Sequence, residues 1–185
     1  RQEGGLSGFP CREESRFDAF TSGHSSASIS AALGVSEANY LQDKEGYVVA
    51  VIGDGALTGG LAYEGLNNAG RLHRNLIVIL NDNTMSISKN VGSMARYLSY
   101  IRTKPGYIRT KNRLERTLRK LPVVGTAIAS GLRRLKRGVK RLFYNTTIFE
   151  DLGFAYYGPF DGHNVKELAE TLETAKLIHR PVLIH

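Results

Sequence analysis

Val48-Val49-Ala50-Val51-Ile52 runs straight into Gly53-Asp54-Gly55-Ala56, and Leu76-Ile77-Val78-Ile79-Leu80 runs straight into Asn81-Asp82-Asn83-Thr84-Met85-Ser86-Ile87. Each half is an apolar run of strand length that stops at a short polar cluster. A helix-like segment, Leu61 to Ala69, lies between them, with Gly70 placed to close it as a C-cap. Unbroken Val, Ile and Leu reads as two buried parallel strands, because only a sheet covered on both faces calls for it. The fold class is therefore α/β: a parallel sheet flanked by helices, built on a β–α–β unit. In such sheets ligands gather outside the carboxyl ends of the strands, where both polar clusters fall.

The residue types in those clusters suit a magnesium–diphosphate site. Mg²⁺ takes hard oxygen ligands in a near-octahedral array, few of them from protein and the rest from phosphate and water. Asp54 can give a carboxylate oxygen, Asn83 an amide oxygen and the backbone carbonyl of Met85 a third. Gly53 and Gly55 leave room for backbone to approach a phosphate and permit positive φ. Taken singly, each cluster also reads as an ordinary turn at a strand end. The pair carries the inference: Gly-Asp-Gly after one strand, then Asn about thirty residues later after the next.

That pairing resembles the metal and diphosphate motif of the thiamine-diphosphate-binding fold. The wording is narrower still. Val51-Ile52-Gly53-Asp54-Gly55-Ala56-Leu57-Thr58-Gly59-Gly60 and Ile79 to Ser88 resemble the 1-deoxy-D-xylulose-5-phosphate synthase family. So do Gly23-His24-Ser25-Ser26 and Gly158-Pro159-Phe160-Asp161-Gly162-His163. The likeness runs the length of the chain and thins between about Met94 and Asn145.

The resemblance implies a transferase that joins pyruvate to D-glyceraldehyde 3-phosphate with loss of CO₂, with thiamine diphosphate and Mg²⁺ as cofactors. Its product would feed isoprenoid, thiamine and pyridoxal synthesis. It further implies that Asp54, Asn83 and Met85 hold the metal. Gly23, His24, Ser25, Gly55, Ala56, Asn83 and Ile87 would line the cofactor site. His24 and His163 are the candidate proton-transfer groups; each also reads as a residue near a helix cap. A homodimer is implied, as is a bacterial cytoplasm, or a plastid for a plant source. Another thiamine-diphosphate enzyme, such as a transketolase, fits Gly-Asp-Gly and Asn equally but fits the Gly-His-Ser-Ser wording poorly.

Arg1 at the start and the apolar Val182-Leu183-Ile184 near the end lead one to expect a fragment: residues 1–185 as a diphosphate- and Mg-binding domain, incomplete at both ends and inactive alone. The net charge of +8 is uneven. Between Arg102 and Arg141 stand fourteen Lys and Arg against one acid, so the segment carries +13 while the remainder carries −5. The basicity belongs to an insert, residues 94–145, where Leu114, Leu118, Leu121 and then Ile128, Leu132, Leu135 recur at helical spacing. Such a segment reads either as a solvated helical cover over the site or as a basic surface for nucleic acid or an anionic membrane. With no recognition motif present, the cover is preferred, and neither nucleic acid nor membrane is expected as a partner.

Thr21 to Ser26 is expected to open a helix whose N-terminus, capped by Ser or Thr, faces an anion. Phe154 to Tyr157 and Pro181 to Ile184 read as further strands. Between them a helix from Val165 to Ile178 is capped by Asn164, with Glu167 completing a capping box and Val165, Leu168, Leu172, Ala175 and Ile178 on one face. The single Cys11 allows no internal disulfide and fits a reducing compartment. P-loop, dinucleotide-fingerprint, nucleophile-elbow and zinc-site spacings are all missing from the sequence.

Overall fold

The computed structural model describes residues 4–83, 92–103 and 147–185. Helix α1 spans Ser28–Leu41, strand β1 Val48–Gly53, and a single turn of helix, α2, Asp54–Leu57. Helix α3 (Gly60–Leu72) leads to strand β2 (Leu76–Asn81), and α4 is Ser93–Thr103. A short helix α5 (Ile148–Asp151), strand β3 (Ala155–Tyr157), helix α6 (Val165–Lys176) and strand β4 (Val182–Ile184) follow. The four strands form one sheet in the order β1-β2-β4-β3, and every neighbouring pair is parallel. All four carboxyl ends therefore share one rim.

The alternation of side chains along each strand divides the core in two. Ala50, Ile52, Leu76, Val78, Leu80, Tyr156 and Leu183 face one side, packed with Ile29 and Leu33 of α1, Leu66 of α3, Met94, Leu98 and Ile101 of α4, and Phe149 of α5. Ile77, Ala155, Val182 and Ile184 face the other side, where α6 lays down Leu168, Leu172 and Ala175. The first two turns of the basic insert expected from sequence, from Met94 to Ile101, are thus seated in this core.

Three expectations need correcting. First, β1 is not buried on both faces: Val49 is 47% and Val51 59% exposed. β1 is the edge strand, and α6 belongs to the core cluster formed by β2, β3 and β4. Second, Gly70 does not end α3. The helix continues to Leu72, and His73 caps it in the left-handed conformation. Gly70 is needed for space instead, because a Cβ there would collide with the carbonyl of Leu152. Third, Val165 is 74% exposed, and α6 buries Thr171 and Ala175 in its place.

The capping box expected at α6 is only half made, because the Asn164 backbone amide donates to the Asp161 carbonyl rather than to the Glu167 side chain. Asn164 caps α6 by accepting from the Glu167 amide, and its own side-chain amide donates to the Glu167 carboxylate. At α5, Thr147 and Glu150 form a reciprocal capping box that returns the chain to the core at Phe149. The Ile148 amide donates to the Tyr97 hydroxyl at 2.7 Å, tying α5 to α4.

Candidate functional site

Parallel pairing in register sets the site. Gly53 lies opposite Asn81, so Asp54 and the Asp82-Asn83 pair leave adjacent strands side by side, one strand spacing of about 4.8 Å apart. Asp54 is 6% exposed and begins α2. Asn83 is exposed on the rim beside it. Neither glycine uses positive φ: Gly53 sits at −77°, and Gly55 is inside α2. Open space surrounds Gly53, since nothing stands within 4 Å of the place its side chain would occupy.

The second predicted segment comes to the same corner. Ser26 adopts φ 71°, and its hydroxyl donates to the carbonyl of Ala56 at 2.7 Å. Gly59 makes the approach possible, because any side chain there would strike the Ser26 hydroxyl. Gly23, His24 and Ser25 stand exposed just before this tie, so the segments 23–25 and 55–56 are brought together. The expected Ser or Thr cap is not made. α1 begins only at Ser28, its N-cap is Ala27, and no side chain caps it, since the Ser26 hydroxyl is engaged by Ala56.

Asp161 and His163 sit past the end of β3, which the strand order puts three positions away from β1. The His163 side chain is fully exposed, and its backbone amide donates to the Asp161 carboxylate at 3.0 Å. That amide, then the His163 ring, hold the Asp161 carboxyl below its ordinary range. The two residues form a self-contained turn and do not approach Asp54. Met85 and Ile87 lie outside the described residues.

One feature of the rim escapes a reading by local sequence. Asp82 meets His185 at 3.1 Å through Nε2, and Nδ1 of the same ring lies 2.8 Å from the Tyr156 hydroxyl. The Asp82 and His185 side chains are 1% and 3% exposed. Burial first, then neighbouring ionisable groups, push the Tyr156 phenol well above its ordinary range, so it remains an O–H. The signal available in sequence was only that Asp82 and His185 each follow an apolar run. Their meeting depends on β4 lying next to β2.

The donor set fits Mg²⁺. It offers one carboxylate and one amide oxygen on neighbouring strand ends, with open space over Gly53 for a phosphate group to complete the shell. Among the described residues no three His, Cys, Asp or Glu side chains gather as a metal cage. No helix among them is long and apolar enough to cross a membrane.

The family model described as 1-deoxy-D-xylulose-5-phosphate synthase matches residues 1–185. Curated relatives carrying that name include proteins of Clostridium kluyveri (52% identical), Carboxydothermus hydrogenoformans (54%) and Thermomicrobium roseum (54%), each aligned over 100% of this chain. The chain spans about 30% of the length of these relatives. Among solved structures, one described as a candidate thiamin diphosphate-dependent enzyme from Mycobacterium smegmatis aligns with 88% of this chain and 22% of its own. Its TM-score is 0.49 and its identity 14%, too slight a likeness to carry weight.

Proposed function

The chain belongs to the 1-deoxy-D-xylulose-5-phosphate synthase family, and from that premise we propose that it binds the diphosphate of thiamine diphosphate through Mg²⁺ and serves the condensation of pyruvate with D-glyceraldehyde 3-phosphate. The observation that supports this most is the parallel register that sets Asp54 beside the strand end that leads into Asn83. When bound, thiamine diphosphate supplies the electron sink that decarboxylation needs. The chain's own residues anchor it. Asp54 and Asn83 give oxygen ligands to the metal, with the Met85 carbonyl as the third. Gly55 and Ala56 border the diphosphate, and the Ser26–Ala56 bond holds Gly23, His24 and Ser25 against it. Ile87 is assigned to the cofactor ring.

His24 stands in the segment tied to Ala56, whereas His163 is in solvent three strands away. We therefore assign His24 rather than His163 to the cofactor's neighbourhood, as donor to a phosphate oxygen or as proton carrier. The basic segment is read as a cover whose positive charge favours anionic cofactor and substrates. A homodimer and a bacterial cytoplasm complete the proposal; the relatives named above are bacterial.

The test is product formation. Because residues 1–185 are expected to be inactive alone, the full-length protein is given pyruvate and D-glyceraldehyde 3-phosphate with cofactor and Mg²⁺, and in parallel a ketose phosphate donor in place of pyruvate. CO₂ release and a five-carbon sugar phosphate are expected when pyruvate is the two-carbon donor to D-glyceraldehyde 3-phosphate, and no turnover with the ketose phosphate. Turnover of the ketose donor with none from pyruvate would move the assignment to a transketolase-type reaction.

A further inference from the structure

Three features lie outside the cofactor assignment: the uncovered Val49–Val51 strip on β1, the cluster of Glu37 and Tyr40 on α1 with Arg74 from the loop after α3, and the buried Tyr156–His185–Asp82 chain. Nothing identifies what would cover the first. The second closes a surface, with Arg74 gripping Glu37 by two nitrogens and lying over the Tyr40 ring. The third joins three strands at the rim where the metal is proposed to bind.

We propose that Tyr156, His185 and Asp82 are positioning residues that fix the end of β2, and with it the Asn83 amide, for the divalent cation; this rests on the metal-site reading above. The chain of contacts starts in the core. The Tyr156 ring stacks on Phe149 at 5.6 Å and 8°, and Phe149 meets Tyr97 of α4 at 6.3 Å. The Tyr156 hydroxyl then donates to His185 Nδ1, and His185 Nε2–H donates to the Asp82 carboxylate. A carboxylate accepts only, so it sets this tautomer and direction.

The His185 backbone is itself held on both sides. Its amide donates to the Tyr157 carbonyl at 2.8 Å, and its carbonyl accepts from the Phe160 amide at 2.8 Å. The ring is thus a fixed post just past the end of β4, reaching sideways to the first residue after β2. Asn83 is the very next residue.

A purely structural need would not call for this composition. A nearly fully buried carboxylate carries a desolvation cost that well-packed apolar side chains avoid. What a directional, fully buried chain adds is a single defined position for the group at its end. Groups behind metal ligands act in this way, and their loss typically weakens metal binding about 10–100-fold.

The test is a Mg²⁺ titration of thiamine diphosphate binding, followed by calorimetry, with Asp82→Asn, His185→Ala, His185→Gln and Tyr156→Phe. Circular dichroism melts of every variant are recorded alongside. For Asp82→Asn and His185→Ala the half-saturating Mg²⁺ is expected to rise about tenfold or more, while affinity for the cofactor at saturating Mg²⁺ changes little. His185→Gln, which keeps an N–H toward Asp82, is expected to recover part of the loss. Tyr156→Phe, which leaves the imidazole–carboxylate bond, should show a smaller rise. Lower melting temperatures with unchanged Mg²⁺ dependence would overturn the proposal and leave a structural role. Failure of the unsubstituted protein to bind the cofactor in a Mg²⁺-dependent way would overturn the metal-site reading, and this inference with it.

Discussion

Replacing Phe149 by alanine probes the element that returns the chain to the core after residue 146. Phe149 is fully buried and lies between Tyr97 and Tyr156, stacked on the latter. Truncating a buried Phe to Ala costs about 3–5 kcal/mol, because transfer free energy is lost and a cavity is left. The two ring contacts, each worth roughly 0.5–1.5 kcal/mol beyond area, place this site at the upper end, at about 4–5 kcal/mol. In a chain of this size each kcal/mol lowers Tm by about 2–4 °C, so the melt is expected about 8–20 °C lower. Phe149→Leu keeps most of the apolar volume and loses only the stacking, so it should cost about 1–2 kcal/mol. Urea unfolding followed by circular dichroism measures both. A Phe149→Ala chain within about 1 kcal/mol of wild type would refute the reasoning. Residues 147–151 would then not seat in the core as described.

Two further outcomes follow from close contacts. Gly70→Ala puts a methyl group onto the Leu152 carbonyl and should destabilise by about 1–3 kcal/mol; a neutral result in urea unfolding would restore the glycine to a capping role. Glu37 is held below its ordinary range chiefly by its hydrogen bond to Arg74. A depressed folded-state value means that the contribution is present above the unfolded value and lost as pH falls through the folded one. The wild-type urea midpoint should therefore drop more than that of Glu37→Gln between about pH 7 and about pH 3. Equal drops would show that the pair does not form in solution.

Much of the fold was legible because the strands announce themselves. Val48 to Ile52 and Leu76 to Leu80 are apolar runs ended by polar clusters, and they emerge as parallel neighbours, Val48 opposite Leu76. Capping chemistry is equally local, and Asn164 could be assigned from its spacing to Glu167. The exposure of Val49 and Val51 could not, since burial of an edge strand depends on what packs over it. Gly70 was misassigned for a related reason: helix-ending glycine and close-packing glycine look alike until the opposing Leu152 carbonyl is known.

The site divides the same way. Asp54 and Asn83 follow directly from strand ends, and their placement on neighbouring ends could be expected from the pattern. Ser26 was legible as a helix-opening residue, yet its hydroxyl goes thirty residues away to Ala56. Asp82 and His185 are 103 residues apart, and only the placement of β4 beside β2 brings them together. The expected roles of Met85 and Ile87, and of the basic segment from residue 104 to 146, fall outside the described residues.

The most direct test of the central claim is a calorimetric titration of thiamine diphosphate into this chain, with Mg²⁺ and with EDTA, beside Asp54→Ala. Asp54 is buried at the end of β1 next to the strand end that leads into Asn83, so binding is expected with Mg²⁺ and lost both with EDTA and in the variant. Binding that survives EDTA, or that persists in a folded Asp54→Ala chain, would contradict a cofactor held through a metal at these two strand ends.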